Sequence, residues 1–364
     1  MVKPALNQAE PSNPRLACRI GGLKLANPVI CGSGEHAITE AGIRAALDSG
    51  VAVVIAKSVN QRAAAVTQLS HAEYAFISDS MTPRSAYDKE READLSDSIF
   101  CRSGLKYGDS DWFEMLAEMD QLAAENGRYV AASIVLSDLN EAANLARMAD
   151  LAGIRILELN IGAPHSVAIQ SDAITTATEA DTVSHLVQEI RQIFSGSLWI
   201  KLTGMQVDVS PMVVAAEQAG ADAVCVTGRL MGFMPDLDTL KPTLGTIGAY
   251  GGRWALPLTC RHLSVAYSKV SPEFSLLGTN GARTGLDVAR MILAGARAAE
   301  LTSLVYLKGF KAYSKVIEDL DNWLQEHSLA AMDIVGHATQ QLEAYSERTE
   351  KLNEWEKFVP AETL

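Results

Sequence analysis

Residues 274–303 read FSLLGTNGARTGLDVARMILAGARAAELTS. A short apolar run, Phe274–Gly278, enters a glycine-bearing turn. GLDVARMILAG then spaces its apolar residues at helical intervals and ends on glycine, and Ala298–Thr302 opens a second apolar run. The same alternation runs back through the chain. Pro28–Cys31 (PVIC), Val51–Ala56 (VAVVIA), Tyr129–Val135, Arg155–Ile161 (RILELNI), Leu198–Leu202 (LWIKL) and Asp222–Val226 (DAVCV) are the earlier runs. They are continuous rather than alternating, as strands buried on both faces of a parallel sheet are. TEAGIRAALDSG, EAANLARMADLAG and SPMVVAAEQAG are the helical stretches between them. Eight strand–helix units predict an α/β fold, a (β/α)8 TIM barrel of about 250 residues with insertions. An open doubly wound sheet is the alternative. It is disfavoured by the count of units and by the lack of a Gly-rich dinucleotide fingerprint after the first run.

The whole chain has 364 residues, 48% hydrophobic and 21% charged, with a formal net charge of −13. That is globular composition, and the acidic balance argues against a nucleic-acid or anionic-membrane surface. The five cysteines, Cys18, Cys31, Cys101, Cys225 and Cys260, form no CxxC pair. A disulfide framework, a thiolate metal site and an iron–sulfur cluster are therefore not expected, and a cytoplasmic setting is. The N-terminus has no apolar core of a secretory signal, and no run of about 18 apolar residues predicts a membrane span. Residues 1–15 read as a flexible entry segment, 16–310 as the barrel, and 311–364 as a C-terminal helical extension packed on it. Two connections are long. Residues 59–111 follow the second strand and 162–182 the fourth, on the face where barrels carry their active sites, so both are expected to act as active-site loops or lids.

The strand ends gather small and polar residues. Strand one ends in Gly32-Ser33-Gly34, strand two in Lys57-Ser58, strand four in Asn160 and strand five in Lys201. Strand six ends in Thr227-Gly228, strand seven in Asn280-Gly281 and strand eight in Thr302-Ser303. Each alone is ordinary turn chemistry. Together they describe a mouth with two lysines, hydroxyls and exposed N–H groups, suited to an anionic, planar, hydrogen-bonding ligand. Barrels commonly hold phosphate between the loops after strands seven and eight. The N–H groups of Gly281 and Ala282, and those near Thr302 and Ser303, are placed for it; plain turn glycines are the bland reading.

The ordered series GGLKLANPVICGSG, VVIAKS, SGLKYGD, ILELNIGAPH, WIKL, AGADAVCVTG, YGG and GTNGARTGLDVARMILAGA resembles the FMN-dependent dihydroorotate dehydrogenases and the related C-terminal domain of dihydropyrimidine dehydrogenase. The resemblance spans roughly residues 16–310 and implies the same barrel, with FMN as cofactor and a homodimer as the default assembly. Carried over, it puts Ser33 and Gly34 along the flavin, Lys57 on the substrate side and Ser58 on the flavin. Asn160 matches the first Asn of the Asn-x-Ser-Cys/Ser-Pro-Asn/His motif. Lys201 matches the lysine beside flavin N1 and O2, where a cation stabilises the reduced anionic ring. Gly251 and Gly252 match part of a phosphate turn that is altered here to YGGRWALP, and Asn280-Gly281 sit at the second phosphate turn.

The departures bear on the substrate. The family's Cys or Ser base is replaced by Ala163, which cannot take a proton. Cys101 and Gly228 stand where the family has pyrimidine-reading asparagines, with Arg229 next in line to anchor a carboxylate. His165, two residues past Ala163, is the candidate replacement base. Cys101 is a second candidate, as a thiolate or as a packing residue. His36 is read as either approaching the flavin edge or capping a helix. The resemblance implies a flavin oxidoreductase acting on a CH–CH couple beside a carbonyl, on a small molecule other than dihydroorotate, with no metal. The alternatives are a flavin oxidase, oxygenase or non-redox enzyme of specialised metabolism, or a non-catalytic flavin- or phosphate-binding barrel. No electron partner is named by the sequence.

Overall fold

The computed structural model describes residues 13–63, 65–85, 94–162 and 179–363. Eight parallel strands close a barrel: β1 Val29–Cys31, β2 Val53–Ile55, β3 Tyr129–Val135, β4 Ile156–Asn160, β5 Ser197–Lys201, β6 Ala223–Val226, β7 Ser275–Thr279 and β8 Ala298–Leu301. Each pairs with the next, and β8 pairs with β1. All eight fall within one or two residues of the runs read from the sequence.

The pleat explains why these runs carry a site at one end. Outward residues such as Val54, Val130, Leu157, Ile200 and Val224 join the core under the helices. Inward residues in the lower barrel, Ile30, Val53, Ile55, Tyr129, Ile156 and Trp199, form a second core. The hairpin Cys18–Ile20/Leu23–Leu25 plugs that end with Cys18, Ile20 and Leu25. Further up six of the strands, or just past their ends, the inward positions turn polar: Lys57, Ser133, Glu158, Lys201, Thr279 and Glu300. A period of two places them in one layer above the apolar plug.

The outer helices are α1 Glu40–Asp48, α2 Ser110–Ala124, α3 Leu139–Ala152, α4 Ala180–Ile193, α5 Ser210–Gln218, α6 Leu256–Tyr267, α7 Gly285–Leu293 and α8 Ala312–Glu326. Local chemistry sets their ends. Thr39, Asp109 and Asp138 accept from the first-turn N–H groups of α1, α2 and α3, and Gly153 closes α3 at φ 85°. The ring is completed by α8, whose Tyr313 hydroxyl donates to Leu301 O and whose Ser314 hydroxyl donates to Ser49 O. The eighth outer helix therefore lies inside the segment expected as an extension.

The rest of that segment corrects the sequence reading. The stretch DIVGHATQQLEAYSERTEKLNEWEKF was expected to be helical, but it forms short 3-10 turns, among them Thr339–Gln341, Tyr345–Glu347 and Glu354–Phe358. Gly336 sits at φ +71°. Leu342, Leu352, Trp355 and Phe358 stay exposed, so no buried apolar stripe rewards a helix.

The long connection after β2 is more ordered than a loop. Glu73–Ile77, Pro83–Ser85 and Ser98–Arg102 pair antiparallel, and Gly248–Gly251 and Met231–Gly232 from the connection after β6 extend the same sheet. This five-stranded sheet contributes residues to the wall of the barrel mouth. Most of the 162–182 connection, including Ala163 and His165, lies outside the described residues.

Candidate active site

A cavity of about 790 Å³ opens at the C-terminal ends of the strands. That is the size of a cofactor or substrate site. Its wall brings together Ser33, Gly34, Lys57, Ser58, Asn160 and Lys201 from the ends of β1, β2, β4 and β5. Asn280, Gly281, Thr302 and Ser303 come from the last two, and Cys101, Arg229 and Gly251 from the inserted sheet and the β6 connection. Two expected residues stand off the wall. Thr227 is fully buried behind it, with its carbonyl accepting from Asn280 Nδ2 at 2.7 Å. Gly252 faces Ser98, whose hydroxyl blocks any Cβ there.

The floor is one connected polar chain. Ser33 Oγ lies 2.9 Å from Ser58 Oγ, which lies 2.9 Å from Ser133 Oγ. Ser133 donates to Glu158 at 2.8 Å, and Lys201 Nζ donates to Glu158 at 3.1 Å and to Glu300. Burial disfavours the Lys201 ammonium, but the two carboxylates outweigh it and hold the lysine charged. Glu158 is raised, because burial and the Glu300 charge outweigh Lys201. Two of the three ammonium hydrogens are spent on carboxylates, which leaves one direction for a ligand. Glu300 Oε1 is buried with no partner.

The second lysine has its own carboxylate. Lys57 Nζ donates to Glu35 Oε1 at 3.1 Å. The hydroxyls of Tyr74 and Tyr306 donate to Glu35 Oε2, and the Gly104 N–H donates to Oε1 at 3.0 Å. Burial pushes the Glu35 carboxyl up, but the Lys57 charge and these hydrogen bonds reverse that and hold it at about 2. Lys57 is lowered by burial, with Glu35 opposing and Arg229 adding. Glu35, Tyr74 and Tyr306 escaped the sequence reading, and so did Ser133, Glu158 and Glu300. The signal for Glu158 and Glu300 was present, since I-L-E-L-N and A-A-E-L-T each put a carboxylate at an inward position of an apolar run, whereas Ser133 sits unmarked inside Tyr129–Val135. Glu35, Tyr74 and Tyr306 come from three separate segments, and no local pattern joins them.

Other candidates are placed as follows. Burial raises the Cys101 thiol to about 11 against the Arg229 charge, so it stays protonated near neutral pH. Its side chain packs against the cluster of Phe76, Ile99 and Leu307. His36 is buried beneath Gly34, 3.2 Å from the Cys31 sulfur, and burial lowers it to about 4. It lies off the cavity wall, behind Tyr306. Arg229 is pinned to Ser103 Oγ at 2.6 Å, which ties the β6 connection to the inserted sheet. Asn160 Oδ1 accepts from Gly162 N–H at 3.2 Å and shapes the turn above β4.

A sequence profile described as dihydroorotate dehydrogenase matches residues 61–324. The chain belongs to the dihydroorotate dehydrogenase family. Among curated relatives, the dihydroorotate dehydrogenase B (NAD(+)) catalytic subunit of Pyrococcus furiosus is 25% identical, over 87% of this chain and 96% of that one. The corresponding subunit of Thermococcus kodakarensis is 26% identical, over 89% and 98%. The chloroplastic dihydropyrimidine dehydrogenase (NADP(+)) of Arabidopsis thaliana is 22% identical, over 96% and 83%. The family assignment and the closed parallel barrel agree with the fold expected from the eight runs. No helix among the described residues is long and apolar enough to cross a membrane, and all five cysteines are free thiols.

Proposed function

We propose that this dihydroorotate dehydrogenase relative is an FMN-dependent oxidoreductase. It acts on a CH–CH couple beside a carbonyl, in a substrate other than dihydroorotate. The observation that carries the reading is the two-lysine cavity. Lys57 with Glu35 and Lys201 with Glu158 and Glu300 are buried charge networks at the C-terminal ends of the barrel strands. Buried ion networks are poor devices for stability alone, which weighs against a mere scaffold.

The residues fit an FMN. The Gly281 turn at φ +98° packs so close to the Leu256 backbone that a Cβ would collide. Beside it, Arg283 carries buried donors without partners, as an end for a phosphate requires. Lys201 is held charged at the other end of the wall. FMN bound there would supply hydride acceptance and donation. Lys201 would then offer positive charge to the ring, and Ser33 and Ser58 would orient it. Lys57, fixed by Glu35, would polarise a substrate oxygen.

Proton transfer needs a group titrating near neutral pH. Cys101 is too high and Glu35 too low. Glu158 is raised to about 7 but is tied to Ser133 and Lys201 and is not among the residues lining the cavity. The proposal assigns the role to His165, two residues past the Ala163 that stands in place of the family's base. Ala163, Cys101 and Gly228 in place of the family's base and asparagines support a changed substrate. The proposal also includes a homodimer and a cytoplasmic setting.

The test is anaerobic. Protein reconstituted with FMN is mixed with dihydroorotate, with dihydropyrimidines and with other cyclic or acyclic carbonyl CH–CH substrates, and flavin bleaching is followed. Bleaching by a substrate other than dihydroorotate is expected, with loss on His165→Ala. Rapid bleaching by dihydroorotate alone would refute the substrate assignment.

A further inference from the structure

Arg283 lies between the β7 turn and the first turn of α7 and is 3% exposed. One N–H of its guanidinium goes to the Ser303 hydroxyl, and the same nitrogen reaches Ala282 O at 3.4 Å. Nε and Nη2 have no partner. The neighbouring carboxylate is fully engaged. Asp287 Oδ1 accepts from Arg253 and Arg290 at 3.2 Å each, and Oδ2 accepts from the N–H groups of Arg283 and Thr284 at 3.0 and 3.1 Å. Two guanidinium groups thus share one carboxylate, while the third and most buried, that of Arg283, makes no ion pair with it and reaches it only through its backbone N–H.

A buried cation with unmade hydrogen bonds is costly, and the usual remedy is an anion. Burial lowers the Arg283 guanidinium to about 10, with Asp287 opposing and Arg253 adding. It remains charged at neutral pH. Arg283 is one of the residues lining the 790 Å³ cavity, beside Gly281 and Ser303.

We propose that Arg283 is a dedicated anion clamp, whose Nε and Nη2 take two oxygens of a phosphate monoester on the bound ligand, with Ser303 orienting the fork. A planar guanidinium matches such a group with two parallel hydrogen bonds. The proposal rests on the FMN reading for the identity of the ligand and deepens it, because the chain then recognises FMN by its phosphate rather than by the ring alone. It also makes the empty protein pay for a cation that only the ligand neutralises. Removing the cation is therefore expected to shift the two states in opposite directions.

The full chain, stripped of flavin, is titrated with FMN and with riboflavin by fluorescence quenching, and with inorganic phosphate by thermal shift. Wild type, Arg283→Met and Arg283→Lys are compared. FMN affinity is expected to fall about 10- to 100-fold in Arg283→Met, with riboflavin affinity kept and the melting temperature of the stripped protein raised. Arg283→Lys, a point charge without the fork, is expected to fall between. An FMN-to-riboflavin preference that survives Arg283→Met overturns the proposal. If wild type binds neither flavin, yet phosphate raises its melting temperature and not that of Arg283→Met, the FMN reading fails and the clamp stands. If phosphate and FMN both leave wild type and Arg283→Met alike, the clamp is overturned.

Discussion

At the scale of single residues, the site is governed by two buried lysines that differ in their partners. Lys201 bridges two carboxylates, Glu158 and Glu300, that are fully buried. Lys201→Met strands both, and breaking such a set costs about 3–5 kcal/mol, read as a fall in the urea midpoint. A loss under about 1 kcal/mol would mean that the carboxylates protonate freely and that the lysine is not what holds them. Glu35 gives a pH test. Its folded value is about 2 against an ordinary 4.5. Its contribution is therefore present in full above the ordinary value and lost as pH falls toward 2. Wild type should lose about 2 kcal/mol between pH 5 and pH 3 through this residue, and Glu35→Gln should lose correspondingly less. Equal acid sensitivity of the two proteins would contradict the ion-pair account.

At the scale of elements, the β7–α7 turn joins the fold to the site. Thr284 and Asp287 form a capping box on α7, with Thr284 Oγ1 accepting from Asp287 N at 3.3 Å. Thr284→Ala should cost about 1 kcal/mol and leave flavin affinity nearly unchanged, as paired unfolding and titration curves would show. Gly281→Ala combines a strained positive φ with a collision against Leu256. It should cost more than the cap and also abolish flavin uptake.

The strand pattern was readable from sequence because both faces of every barrel strand are buried, so the runs are unbroken. The polar inward layer was half readable. Lys57, Asn160 and Lys201 end their runs and draw attention, whereas Glu158 and Ser133 sit inside theirs and are masked by apolar neighbours. Tyr74 and Tyr306 reach Glu35 only through the inserted sheet and the helix Ser303–Lys308, and no spacing announces that. The 333–358 stretch had helical spacing but no surface to bury against, and tertiary packing decided it.

At the scale of the whole molecule, an acidic chain lines its mouth with several cations, Lys57, Arg102, Arg229 and Arg283 among them, alongside the carboxylates Glu35 and Glu300. Exposed apolar side chains lie elsewhere, on the connections after β5 and β6: Val207, Phe233, Leu237 and Leu240. Single exposed apolar side chains are ordinary on a surface, and the proposed homodimer assigns these to its contact. The proposed homodimer therefore predicts that Leu237→Asp with Leu240→Asp lowers the sedimenting mass from two chains to one, with the barrel fold intact by circular dichroism. A wild-type protein that sediments as one chain at high concentration would remove the dimer from the account.

The central claim is that this barrel mouth is an FMN site. It is tested most directly by the visible spectrum of the purified full-length protein, with the cofactor released and identified by mass. The account predicts a yellow protein releasing one FMN per chain, or taking up one from added FMN. A colourless protein that takes up no FMN would contradict it.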